Sequence, residues 1–256
     1  MNLQQLRDRF RKRADDLVVP YFWDNETVAA KLNEAVAEAC VRARLLFDEG
    51  SRQCRVPIVY GKAVYTIDPS IYEIVDAWIT SSAQSDPNNG RVLIGTSQTA
   101  MDQQNDMTTR RSSFSNASRS FYQNTLPYWA GGHWRTWKGQ PRYYIQDQSR
   151  LQLVPEPVSA GTQTLMLNLA VYRTPLCSEE MVNTDDCPVI PNHWHERLID
   201  WALYRAFSDK DSEKNDDARS AAALAAFEDS FGKRQDANVI RKQNERRRRT
   251  VGSVWP

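Results

Sequence analysis

Apolar residues recur at helical spacing near both ends of the chain, and at a period of two between them. The first helical stretch leaves Asp24-Asn25-Glu26-Thr27 and runs through Val28, Leu32, Ala35, Val36, Ala39, Cys40, Ala43, Leu46 and Phe47. This predicts a helix over 25–48 with Asp24 as its cap, Glu26 beside the positive helix end and Gly50 closing it. Upstream, Leu3, Leu6, Phe10, Ala14 and Leu17 form one apolar edge among Arg7, Arg9, Arg11, Lys12 and Arg13. That short helix is expected to stop at Val18-Val19-Pro20. Toward the other end, Ile190-Pro191-Asn192-His193-Trp194 opens a helix over 193–208 that carries Leu198, Trp201, Ala202 and Ala206. A last helix holds Ala218, Ala221, Ala222 and Ala225 with Leu224, Phe227 and Phe231, and stops at Gly232; its small side chains permit close packing. None of these stripes can be buried alone, so the two ends must meet in one helical body. Its expected core anchors are Trp23, Leu32, Trp194, Leu198, Trp201, Phe227 and Phe231.

From Val56 the pattern becomes strand-like. Val64-Tyr65-Thr66-Ile67 precedes Asp68-Pro69, and Val92-Leu93-Ile94 follows Asn88-Asn89-Gly90. Arg142 to Ile145 and Leu151 to Val154 flank Gln146-Asp147-Gln148-Ser149 as a hairpin stopped by Pro155 and Pro157. Leu165, Leu167, Leu169 and Val171 line one strand face. The fold class read from this is α+β: a helical bundle made of the N- and C-terminal segments, an inserted antiparallel β-sandwich or barrel, and an extended C-terminal arm. The expected boundaries are 1–54 with 176–238 for the helical domain, 55–175 for the insert and 239–256 for the arm, although the length alone fits one large or two small domains.

Two segments break the pattern. Residues 96–132 are rich in Gln, Asn, Ser, Thr and Arg, with Phe114, Phe121, Tyr122, Tyr128 and Trp129 scattered through them. Interleaved arginines and aromatics suit nucleic acid. The plainer reading is a long loop packed on its own sheet or a neighbouring subunit, since a dense basic stripe is missing. The second segment changes the charge picture. The formal net charge is +1, but Lys233, Arg234, Arg241, Lys242 and Arg246 to Arg249 stand against only Asp236 and Glu245, which leaves the rest of the chain with 25 basic and 30 acidic residues. A mildly acidic body thus carries a basic tail. Its Arg246, Arg247, Arg248 and Arg249, followed by apolar Val254 and Trp255, fit docking on an acidic groove of a partner; phosphate binding and a solvated tail are the alternatives.

Little in the sequence points to reaction chemistry. His193 and His195 lie two apart, so on a helix they point away from each other and cannot share an ion. No nucleophile elbow, phosphate loop, zinc-protease or dinucleotide fingerprint is present, and Asp185-Asp186 reads as solvated surface. Cys40, Cys54, Cys177 and Cys187 form no CxxC pair and read as reduced thiols. An enzyme, a cofactor and a metal are therefore not expected. No stretch approaches the ~20 apolar residues that span a bilayer, and the basic N-terminus lacks a signal peptide's apolar core, so a soluble protein made in a reducing cytoplasm is expected.

With these segments placed, the chain resembles the head-to-tail adaptor, or connector, proteins of tailed bacteriophages, especially short-tailed ones. The resemblance is carried by Trp23-Asp24-Asn25-Glu26, Leu32-Asn33-Glu34-Ala35, Tyr65-Thr66-Ile67-Asp68-Pro69, Trp134-Arg135 with Gly139-Gln140-Pro141, and Leu153-Val154-Pro155-Glu156-Pro157. Ile190-Pro191, His195-Glu196, Leu198 to Ala202, Ala206-Phe207 with Asp209-Lys210-Asp211, and Phe227 to Gly232 complete it. The polar insertion over 96–132 departs from the shorter family pattern. The resemblance implies a structural virion protein at the head–tail junction, assembled in the host cytoplasm. It implies a ring, commonly of twelve copies, that binds the portal, extends the DNA channel around the genome and receives the tail nozzle, with no catalytic residue and no membrane partner. A DNA-binding accessory module using the basic tail is the alternative, and a hydrolase sited in the strand domain has the least support.

Overall fold

The computed structural model describes residues 1–81, 90–103, 133–147, 149–158, 164–209, 216–234 and 236. The chain divides into two compact units, the first built from Met1–Phe47 and Tyr172–Gln235 and the second, among the described residues, from Asp48–Val171 and Asp236.

The first unit is helical. Helix α1, Leu3–Ala14, is opened by a capping box in which Asn2 accepts from the Gln5 amide while the Gln5 side chain accepts from the Asn2 amide. Its buried edge includes Arg7 and Arg11 beside Leu3, Leu6, Phe10 and Ala14. It ends at Asp15, which takes a left-handed conformation (φ 58°), so Leu17, Val18 and Val19 lie beyond the helix. Asp24 caps α2, Asn25–Ala43, by accepting from the Thr27 amide, as its sequence requires. That helix stops five residues earlier than expected, with Arg44 left-handed (φ 53°), because Phe47–Asp48 is drawn into strand β1 and the Leu46 carbonyl accepts from the Arg173 amide at 3.1 Å. Gly50 closes a turn instead of a helix: its amide and that of Ser51 donate to the Asp48 carboxylate.

Residues Asn192–Arg197 form a 3₁₀ segment, and the α-helix α3 covers Leu198–Phe207. Helix α4, Asp217–Phe231, is capped by Asp216 and ends at Gly232, whose φ of 82° favours glycine. Its expected small-residue face is corrected: Ala218, Ala221, Ala222 and Ala225 are exposed, and the buried residues are Ser220, Ala223, Phe227 and Phe231. Close packing is achieved by Ser220, whose hydroxyl reaches the Tyr204 carbonyl of α3. One core joins the four helices, including Leu6, Phe10, Trp23, Leu32, Leu198, Trp201, Phe227 and Phe231. Trp23 stands edge-on between Phe10 and Phe207, each 5.8 Å away, and Phe227 lies 5.0 Å from Trp201 and 4.6 Å from Phe231. Each such side chain contributes about 1.5–3 kcal/mol on burial.

The second unit is a curled mixed sheet, half of a barrel, so the fold class is α+β as read. Its strands are β2 (Arg55–Ile58), β3 (Val64–Thr66), β4 (Ile71–Ser81), β5 (Arg91–Thr96), β7 (Tyr143–Asp147), β8 (Arg150–Val154) and β10 (Leu165–Arg173), in the order β1-β10-β4-β5-β7-β8-β3 with β2 also on β10. A separate short ribbon pairs β6 (Lys138–Gly139) with β9 (Glu156–Pro157). The β7–β8 hairpin forms with Tyr143 opposite Val154. An all-antiparallel sheet does not: β5 and β7 run parallel, with Ile94 opposite Tyr143. Parallel neighbours need a connection of a dozen residues or more to return the chain to the same end, and residues 97–142 supply it. The polar segment is therefore the crossover of the sheet. The β10 strand is buried beyond the one face marked by Leu165, Leu167, Leu169 and Val171: Asn168 and Ala170 are buried as well, with Asn168 donating to the Thr80 hydroxyl at 2.9 Å.

Candidate functional site

Among the described residues of the helical unit, Leu17, Val18, Val19, Tyr21 and Phe22 form the largest run of exposed apolar side chains, and Val18 is 78% exposed. This loop sits on a rigid base. The Asp16 carboxylate accepts from Arg11 Nη1 at 2.7 Å and from the Phe22 amide at 2.8 Å, while Arg11 Nη2 donates to the Trp23 carbonyl at 3.0 Å and to Asn25 Oδ1 at 2.8 Å. The guanidinium also lies 3.6 Å from the centre of the Tyr21 ring. Both charged side chains are less than a tenth exposed, so the pair is a buried staple at the root of an apolar tip. A fixed, exposed apolar tip is suited to contact with another protein.

A second surface follows the sheet. The connector Cys177 to Pro188 carries Glu179, Glu180, Asp185 and Asp186 and no Lys or Arg. Arg173 holds Glu179 by two hydrogen bonds of 2.6 and 2.8 Å. The Asn183 and Val182 amides donate to Asp186 and keep its carboxyl below the usual carboxylate value. Glu180 and Asp185 stand exposed, as do Val182 and Val189. Beside them a shallow depression of about 10 Å³, room for a single water, is lined by Asn33, Val36, Pro175, Glu179, Glu180, Met181, Pro188 and Val189.

The expected core anchors Trp23, Leu32, Leu198, Trp201, Phe227 and Phe231 are buried in the helical core, and Trp194 packs against it half-buried. The expected docking residues Arg246, Arg247, Arg248, Arg249, Val254 and Trp255 lie outside the described residues, as do residues 104–132 of the polar segment. The start of that segment is helical over 98–103, and Met101 is buried with Trp134, Trp137, Ile145 and Val154. The Trp134 indole donates to Asp102 at 2.6 Å, so the residues flanking 104–132 are clasped together.

His195 is the residue that sequence reasoning undervalued. It is fully buried; Nε2 is 2.8 Å from the Ile190 carbonyl, and Nδ1 is 2.9 Å from the Met1 amino nitrogen. Nε2 donates to the Ile190 carbonyl, while Nδ1 also lies 3.1 Å from the Met1 carbonyl oxygen and so faces both a donor and an acceptor of the first residue. Burial lowers its pKa below the ordinary 6.5, and the neighbouring ammonium acts in the same direction. Between the lowered value and 6.5 the unfolded chain binds more protons at this site, so stability is full above 6.5 and falls as the pH drops through that window. Thermal unfolding followed from pH 7.5 to 5 is expected to show a falling midpoint, with the His195 ring resonances titrating below 6.5. A ring that titrates above 6.5 overturns this assignment.

Among the cysteines, burial pushes the Cys40 thiol up to about 12 and raises Cys54, while Cys177 and Cys187 are exposed. Among the described residues, no three His, Cys, Asp or Glu side chains are grouped to hold a metal, and no helix is long and apolar enough to cross a membrane.

What these residues build is contact surface: a stapled apolar tip and an acidic connector with apolar neighbours, on an α+β frame. The sequence matches the family model for SU10 adaptor protein over residues 1–253, and the chain belongs to that family, a family of phage adaptors. No curated protein matched the sequence.

Proposed function

We propose that this protein is a head-to-tail adaptor of a tailed bacteriophage, whose copies form a ring beneath the portal, extend the DNA channel and present the platform for the tail. The family match across nearly the whole chain carries this reading. The exposed tip at Leu17 to Phe22 supports it, since a ring requires each copy to offer a surface that another copy or partner covers. The partners are the portal, tail components, further copies of the chain in a ring of about twelve by family resemblance, and the DNA that passes through; the place is the head–tail junction of the virion. A mildly acidic body suits a channel wall that must not hold DNA, because like charge repels the phosphates.

Electron microscopy of the protein mixed with its portal is expected to show rings seated on the portal. Tight, salt-dependent binding of the isolated chain to duplex DNA without ring formation would favour the accessory DNA-binding module instead. The basic arm is assigned to portal attachment: removing residues 246–256 is expected to abolish co-sedimentation with the portal and leave thermal unfolding unchanged. Retained attachment by the shortened chain overturns that role.

A further inference from the structure

We propose that Arg7 is the receptor for an oxyanion, a carboxylate or a phosphate, that reaches this protein from outside its own chain. Arg7 is 8% exposed, and its Nε is shut off from solvent without a hydrogen-bond acceptor. Among the described residues its guanidinium has no ion pair, hydrogen bond or aromatic face. The other buried arginines show what such a side chain needs. Arg11 holds the Asp16 carboxylate, Arg173 holds Glu179 through two hydrogen bonds, and the buried side chain of Arg42 holds Glu38 at 2.9 Å. A guanidinium does not escape burial by releasing its proton, and a charge taken out of water without a counter-charge is strongly disfavoured. Arg7 therefore calls for the carboxylate that its counterparts already have.

The chain's own acidic groups around the start of α1 are committed elsewhere or turned outward. Helical side chains lean toward the N-terminus, which places the head of Arg7 over the first turn of α1. The connector crosses that turn: the Leu3 amide donates to the Asp186 carbonyl at 2.8 Å, and the Gln4 amide to the Thr184 carbonyl at 3.1 Å. Of the connector's four carboxylates, Glu179 is held by Arg173 and Asp186 by the Val182 and Asn183 amides, while Glu180 and Asp185 are exposed. On α1 itself Asp8 accepts from Gln4 at 2.9 Å, and Arg11, one turn further on, adds a like charge. The guanidinium fork matches a carboxylate or phosphate by parallel hydrogen bonds, and a head group so deeply set admits one small anionic group, not an extended ligand. The inference concerns the isolated chain and does not rest on the adaptor reading.

Thermal unfolding of the full-length chain tests this, with inorganic phosphate replacing chloride at constant ionic strength. The unsubstituted chain is expected to gain about 3–6 °C, saturably, at ten times the dissociation constant. Arg7→Met, which keeps an unbranched stem and removes the charge, is expected to unfold no lower than the unsubstituted chain in chloride and to lack the saturable gain. Any rise that phosphate gives by exclusion from the protein surface remains in both. The Nε–Hε resonance that disappears in Arg7→Met is expected to move with phosphate along the same curve. An equal response of the two chains, a resonance that stays in place, or an Arg7→Met chain that unfolds well below the unsubstituted one in chloride overturns the proposal. Assembly on the portal distinguishes the two sources of the anion. Phosphate that weakens assembly of the unsubstituted chain and not of Arg7→Met identifies a carboxylate of the assembled partner, and assembly indifferent to phosphate identifies the free anion. Failure to form rings on the portal would overturn the adaptor reading and leave the unfolding result to decide this site.

Discussion

Replacing Asp16 by alanine is expected to destabilise the helical unit by about 3–5 kcal/mol, because it leaves the Arg11 cation buried without its carboxylate. The surroundings offer that cation the Trp23 carbonyl, Asn25 Oδ1 and the face of the Tyr21 ring in exchange, none of which carries a charge. Two backbone amides, of Phe22 and Trp23, lose their acceptor in the same step. At about 2–4 °C per kcal/mol for a chain of this size, the unfolding midpoint drops on the order of 10 °C. Removing both charges with Arg11→Met and Asp16→Leu is expected to recover part of the loss, since the desolvation cost of the pair disappears together with its attraction. Urea unfolding of the two single variants and the double variant closes the cycle. A single variant that loses less than about 1 kcal/mol would mean that the staple is solvated, as an exposed pair would be.

Phe227→Ala is the second large effect, expected at about 3–5 kcal/mol for a fully buried aromatic. The ring is in contact with Trp201 and Phe231, and Arg42 lies 5.2 Å from its centre, so the void opens where α3 and α4 meet. Phe227→Leu leaves a smaller void and is expected to cost less, and Leu224→Ala, at a half-buried position on the same helix, less again. Equal losses for Phe227→Ala and Leu224→Ala in thermal unfolding would contradict the placement of Phe227 at the centre of the core.

Much of this architecture can be read from the residue pattern where local chemistry and tertiary packing agree. Asp24 is a cap by its side chain alone, Gly232 ends α4 because few other residues accept its φ, and the stripe from Val28 to Cys40 is apolar at helical spacing. The misses occur where packing overrules local preference. Leu45, Leu46 and Phe47 continue the apolar stripe of α2, yet pairing with β10 pulls the chain out of the helix. Strand β4 buries Ile71, Ile74 and Ala77, three apart, which conceals it from a search for alternation. Arg7 and Arg11 read as a solvated face, but Arg11 is fixed inside by Asp16, a partner that helical periodicity does not mark. The parallel pairing of β5 with β7 is invisible locally, since it depends on where a long connection returns. Of the candidate surfaces, the acidity of the connector was legible from its composition. The exposure of Leu17 to Phe22 was not: hydrophobic residues after a helix suggest burial, and only the left-handed Asp15 and the staple behind it turn them outward.

The clasp between Asp102 and Trp134 has a consequence for how such a chain can diversify. The two stems are fastened at 2.6 Å over a small apolar cluster of Met101, Trp134, Trp137, Ile145 and Val154. Loop-closure entropy rises only slowly with length, by about 0.6 kcal/mol per doubling. Insertions or deletions between the two stems are therefore expected to cost little stability, because the register of β5 with β7 is held by residues on either side of them.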